Sequence, residues 1–223
     1  MTMKVFVFLF AFGSLSACEE KPIDFPKQEM MQESDIINQV NKNNRAAVKS
    51  ALDKGADVNT KDNNGRSLLL IATIGKQTEM AKMLISYKAD VNLQDDQLDS
   101  PFLYAGASGQ TELVRLFLDH GARFEVFNRY NGTALIPACE RGHVETVKVL
   151  AEAKGFPINH VNRLGWTALM EAVILGNGTQ KYQEIVHILK DNGADLNIPD
   201  HSGKTPLQHA ESSGFKEIAR ILK

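Results

Sequence analysis

Disulfide capacity, charge imbalance and catalytic signatures are all scarce in this 223-residue sequence. Its two cysteines are too few for a disulfide framework. A formal net charge of −2 lacks the basic excess that a nucleic-acid partner requires, so no nucleic acid is expected. There is no phosphate-cradling glycine loop, no His-Glu-x-x-His and no Gly-x-Ser-x-Gly, so nucleotide, zinc-protease and serine-hydrolase chemistry have no carrier. The six histidines are dispersed, and His187 and His209 share no metal-ligand spacing. No cofactor, metal or catalytic residue is therefore expected. The apolar fraction of 43% and charged fraction of 23% suit a soluble globular chain.

The first residues have the order of a targeting segment. Lys4 is followed by the apolar stretch Val5 to Phe12, too short for a membrane-spanning helix, and then by Leu15-Ser16-Ala17-Cys18. That tetrad resembles the bacterial lipobox; an ordinary secretory signal with a chance cysteine is the plainer alternative. The resemblance implies a lipoprotein signal peptide over residues 1–17, with Cys18 lipidated as the first mature residue. Each buried acyl methylene contributes about 0.8 kcal/mol, so several chains would hold the protein on a membrane. It implies further that the folded part lies in the periplasm. Glu19, standing where an inner-membrane retention signal would carry Asp, favours the outer membrane. Residues 18–33 are polar, contain Pro22 and Pro26 and lack apolar periodicity. They read as a flexible tether, and a loose leader fits the composition equally well.

From Ser34 to Lys223 the chain repeats itself. Ser67-Leu68-Leu69-Leu70-Ile71-Ala72 returns as Ser100-Pro101-Phe102-Leu103-Tyr104-Ala105 and as Thr133-Ala134-Leu135-Ile136-Pro137-Ala138. Thr167-Ala168-Leu169-Met170-Glu171-Ala172 and Thr205-Pro206-Leu207-Gln208-His209-Ala210 follow. The spacings are 33, 33, 34 and 38 residues. A second signature recurs in phase: Gly55-Ala56-Asp57-Val58-Asn59 and Gly193-Ala194-Asp195-Leu196-Asn197, with looser copies beginning at Lys88, Gly121 and Gly155. The period and both motifs resemble the ankyrin-repeat family. The resemblance implies an all-α solenoid over residues 34–223, about six stacked helix-turn-helix units with projecting turns. Units this small cannot cover their own apolar faces, so stability comes from the stacking.

Local chemistry agrees. Each opening Ser or Thr is expected to cap a helix, and Pro101 and Pro206 suit a first helical position. Gly109, Gly142, Gly176 and Gly214 are expected to end the first helices in the left-handed conformation. Lys76 and Lys88 stand at usual glycine positions. Gly75 is expected to end its helix one residue early, and Lys88 to adopt a strained left-handed backbone. The second unit should then be the least stable inner one. The stretch from Gly176 to Tyr182 carries about five extra residues, expected to lengthen a loop between helices.

The ankyrin resemblance implies a protein partner bound by turn tips and the concave face of the first helices. By position, the candidates are Asn64, Arg66, Gln97, Asp99, Tyr130, Arg141, Leu164, Trp166, Leu175 and Lys204, with Glu140 exposed beside Arg141. Trp166, the sole tryptophan, is the expected anchor of a Tyr130–Arg141–Trp166–Leu175 patch, unless it folds back to shield Leu164. Cys139 reads as a packed thiol, with a reactive one the sharper alternative. A monomer is expected. Resemblance to small bacterial ankyrin lipoproteins implies one concrete role: an immunity protein neutralising a secreted, lipase-type toxin. An accessory or stress factor for a periplasmic enzyme such as a catalase is the alternative.

Overall fold

The structure, a computed structural model, describes residues 33–223, so Cys18 and nearly all of the expected tether lie outside the described residues. Six helix pairs follow one another. They are α1 (Glu33–Asn41) with α2 (Arg45–Asp53), α3 (Leu68–Ile74) with α4 (Thr78–Ser86), and α5 (Pro101–Ala107) with α6 (Thr111–Asp119). Then come α7 (Leu135–Glu140) with α8 (Val144–Ala151), α9 (Ala168–Ile174) with α10 (Gln180–Asp191), and α11 (Pro206–Ser212) with α12 (Lys216–Ile221). First helices stack on first helices and second on second, so a single apolar core runs from Ile36 to Leu222. The all-α solenoid expected from the repeats is the observed architecture.

Four of the five Ser/Thr openings cap as expected. Ser67, Ser100, Thr167 and Thr205 accept the amides of Leu70, Leu103, Met170 and Gln208. Thr133 makes no such bond, and α7 starts one residue late, after Ala134. Pro137 accounts for the late start. In the other units the amide at its position bonds the capping residue's carbonyl, as Tyr104 does with Ser100 at 2.9 Å and Glu171 with Thr167 at 3.0 Å. Proline has no amide hydrogen to donate.

Close helix approach explains one glycine. A Cβ on Gly106 of α5 would lie 2.7 Å from Cβ of Ala134 and 2.9 Å from its carbonyl oxygen, so the third and fourth units meet backbone to backbone there.

Two expectations about helix ends need correction. Gly75 is not the left-handed terminator of α3; it has φ −73°, and Lys76 itself takes φ +52°. Gly176 is not left-handed either; α9 ends at Ile174 with Leu175 as its C-cap, and Gly178 supplies the turn with φ +69°. Accordingly, only two of the inserted residues lengthen the loop between α9 and α10, and the other three extend α10 to 12 residues against 9 in α6. The extra turn is useful. It brings Tyr182 to the start of α10, where its hydroxyl donates to the Glu140 carbonyl at 2.8 Å, one unit back. Gln110 Nε2 makes the matching bond to the Thr73 carbonyl at 2.9 Å. Carbonyls left open at helix ends are thus closed by the following unit.

Lys88 is left-handed as expected, at φ +70°. With Lys76 also left-handed and Gln77 Oε1 buried without a hydrogen-bond partner, the second unit carries three local penalties. Lys88→Gly should therefore raise stability by about 0.5–1 kcal/mol, the relief of strain outweighing the entropy that glycine adds to the unfolded chain. Urea denaturation would read this as a higher midpoint at unchanged slope; a lowered midpoint contradicts it.

Asparagine side chains tie units together. Asn59 Oδ1 accepts the Asp90 amide at 2.9 Å, Asn92 Oδ1 the Arg123 amide at 2.8 Å, and Asn159 Oδ1 the Asp195 amide at 2.7 Å. At the joint between the third and fourth units Glu125 replaces the asparagine, and packed rings of Phe124 and Phe156, 4.8 Å apart, bridge instead.

Candidate partner-binding surface

Each turn between units is a finger built around one side-chain oxygen. Asp62, Asp95, Asn128, Asn162 and Asp200 stand five residues ahead of the five Ser/Thr openings. Their Oδ1 atoms each accept two amides, as Asn162 does from Leu164 at 2.9 Å and Trp166 at 3.1 Å. The same pattern binds Asn64 and Arg66, Gln97 and Asp99, Tyr130 and Gly132, and Ser202 and Lys204. The fourth residue of each finger is left-handed: Gly65, Leu98, Asn131, Gly165 and Gly203. The fingers are therefore fixed frames presenting one or two free side chains each.

Between the fourth and fifth units the fingers and first helices enclose a cavity of about 290 Å³. Tyr130, Leu164 and Leu175 line it and remain 52%, 49% and 47% exposed. Ile136 and Pro137 of α7 supply further apolar wall. The polar lining is Asn128, Asn162, Glu140 and Glu171, and no basic residue contributes.

Glu171 is the unusual member. It is 4% exposed, and Asn162 Nδ2 donates to its Oε1 at 3.0 Å. Its other oxygen takes no hydrogen bond from the described residues. Burial first, and the charge of Glu140 second, push its carboxyl up to about 7, against the pull of the Asn162 hydrogen bond. Neighbouring Cys139 is fully buried, and burial and then Glu171 raise its thiol well above the usual range, which supports the packed reading over the reactive one.

The expected site residues divide. Tyr130, Leu164 and Leu175 converge on the cavity, with Glu140 beside them; Trp166 and Arg141 do not line it. Trp166 is half-buried, its backbone paired to Asn162. Arg141 is exposed, but its Nη1 donates to the Ala107 carbonyl at 2.7 Å, closing the end of α5. Arg66 is held by Asp62, Nη2 to Oδ2 at 2.6 Å. Asp99 is half-buried 3.7 Å from Arg129, its carboxyl raised by burial and by Asp95. Asn64, Gln97 and Lys204 lie exposed on their own fingers, outside the cavity.

Comparison with known proteins decides the family. The family profile described as "Ankyrin repeats (3 copies)" matches residues 36–128, 125–200 and 159–223. This chain is an ankyrin-repeat protein. It is 38% identical over 175 residues to the ankyrin repeat protein YahD of Escherichia coli, covering 78% of this chain and 87% of that one. It also resembles the crystal structure of an ankyrin repeat domain from Acinetobacter baumannii, at 46% identity and TM-score 0.83, covering 86% and 97% of the two chains. Protein phosphatase 1 regulatory subunit 27 of Mus musculus is 34% identical over 92 residues, 41% of this chain and 56% of that one.

Family membership makes Glu171 legible. Ankyrin units usually open Thr-Pro-Leu-His-x-Ala, and Glu171 and His209 both stand at the variable fifth position of that pattern. In the sixth unit Nε2 of His209 lies 2.8 Å from Oδ2 of the finger residue Asp200, whose carboxyl Ser202 and His209 together hold far below its usual range. In the fifth unit of this ankyrin protein the polarity is reversed: the finger offers the amide Asn162, and the helix carries the acid Glu171. Among the candidates read from the sequence, Glu171 and Asn162 were absent. Their signal was there, in Glu171 as the one charged residue of the otherwise apolar run Ala168–Ile174.

Proposed function

We propose that this ankyrin-repeat protein is lipid-anchored through Cys18, faces the periplasm, and binds and modulates one protein partner across the concave surface of its fourth and fifth units. Ankyrin repeats are interaction scaffolds, and one observation carries the choice of surface. Tyr130, Leu164 and Leu175 are large, exposed and gathered around a single cavity, whereas most side chains of their size are buried in the core. Exposed apolar groups gathered in this way mark binding sites. The lipobox-like Leu15-Ser16-Ala17-Cys18 supports the anchor. Within this reading the partner is a secreted, lipid-degrading toxin, since a membrane tether raises an inhibitor's concentration where such a toxin acts.

The test is a pull-down from detergent extracts with the wild-type chain and with Tyr130→Ser, Leu164→Ser and Leu175→Ser combined. Because all three side chains are exposed, stability should change little, while partner affinity should fall at least tenfold. Undiminished binding by a folded triple variant refutes the surface. Radiolabelled palmitate should be incorporated at Cys18, and protection of cells against a co-expressed toxin tests the narrower role.

A further inference from the structure

The cavity between the fourth and fifth units has a chemistry more specific than apolar contact, and the inference from it rests on the binding role just proposed. We propose that it receives a basic side chain of the partner, arginine or lysine, whose aliphatic stem lies along Tyr130, Leu164 and Leu175 and whose cation meets Glu171 and Glu140.

Charge complementarity carries the choice of occupant. Two carboxylates line the cavity and no cation does. The basic residues nearby are each engaged: Arg141 with the Ala107 carbonyl, Arg163 with the Arg129 carbonyl at 2.9 Å, and Arg129 with Asp99 at 3.7 Å while it lies over the Tyr130 ring, outside the lining. Glu171 is almost wholly buried, yet only one oxygen has a partner among the described residues. A buried carboxylate lacking a countercharge is costly, so a site that keeps one gains most from a ligand that supplies the charge. An acidic or phosphate group would meet repulsion instead.

Two other occupants are disfavoured. Among the described residues no group of three or more His, Cys, Asp or Glu side chains could hold a metal ion, and hard divalent cations require larger oxygen sets. At about 290 Å³ the cavity also falls at the small end of ligand sites, which suits one inserted side chain. A long basic side chain matches the lining, since its stem is apolar and its tip charged.

The experiment titrates n-butylguanidinium and its neutral isostere n-butylurea into the isotopically labelled full chain, followed by NMR. Butylguanidinium should shift Leu164, Glu171 and Leu175 and bind at least tenfold tighter than butylurea. That preference should disappear in Glu171→Gln, whose fold is checked by circular dichroism. It should also shrink several-fold between pH 8 and pH 6, because Glu171 gains a proton while guanidinium keeps its charge. The other ionisable groups around Glu171 are Glu140 and Cys139 of α7, with His209, paired to Asp200, at the same position one unit on. A His209→Gln control separates the effect of Glu171 from that of its counterpart one unit on. Equal binding of the two compounds, binding by neither, or a preference that survives in folded Glu171→Gln overturns the inference. The broader reading fails independently, when the triple serine variant retains its protein partner.

Discussion

Glu171→Gln should stabilise the folded chain at pH 8 by about 1–3 kcal/mol, solvent screening at the cavity mouth reducing the full shift, and leave it nearly unchanged at pH 4. The carboxyl is raised from an ordinary 4.5 to about 7 in the folded state, by burial first and by Glu140 second. Below pH 4.5 both folded and unfolded chains hold the proton, and the group favours neither. Between 4.5 and 7 the unfolded chain releases its proton while the folded chain retains it, so stability present in acid is lost as the pH rises through the folded value. Above 7 the full penalty applies. Glutamine cannot ionise, and its carbonyl oxygen still accepts the Asn162 hydrogen bond. Urea denaturation of the two proteins from pH 4 to 8 should give curves that separate steadily with pH, the difference cancelling the effects of other carboxylates. Parallel curves would mean that Glu171 is solvated. Such a residue gives up stability at neutral pH for a charge held in a recess, which agrees with a role in binding.

Phe117→Ala should cost about 3–5 kcal/mol, a large share of the roughly 5–15 kcal/mol typical of natural domains. Phe117 has no exposed surface and lies on α6 with Leu113 and Val114, also buried. The third unit stands between the second and the fourth, with α5 and α6 contacting α3, α4, α7 and α8. In a stacked array each unit depends on its neighbours, so a cavity there weakens two joints at once. The variant should melt well below wild type, with a reduced urea slope as the end units uncouple. A loss under about 1 kcal/mol would show that the neighbouring units close over the gap.

Much of this fold could be read from residue order, because ankyrin units carry their instructions locally. The Ser/Thr openings and the prolines at 101 and 206 act within a few residues. The departures arose where one position answers to another. Pro137 delays the start of α7 because it cannot donate to the Thr133 carbonyl four residues back. Gly176 surrenders its turn to Gly178 because the chain must bring Tyr182 back to Glu140. Of the candidate site, Tyr130, Leu164 and Leu175 were found by position alone. Arg141 and Trp166 look the same in sequence, yet one closes a helix end and the other lies half-buried outside the cavity. Glu171 escaped notice because its role depends on desolvation by residues far along the chain, which periodicity does not report.

The five fingers divide their labour between positions. One Asp or Asn oxygen and one left-handed residue hold the backbone, so the exposed side chains between them contribute little to its shape. Substitutions at Asn64, Gln97, Tyr130 or Leu164 therefore change what a finger displays while its scaffold persists. Selection can rewrite the recognised partner by small steps, each variant still folding.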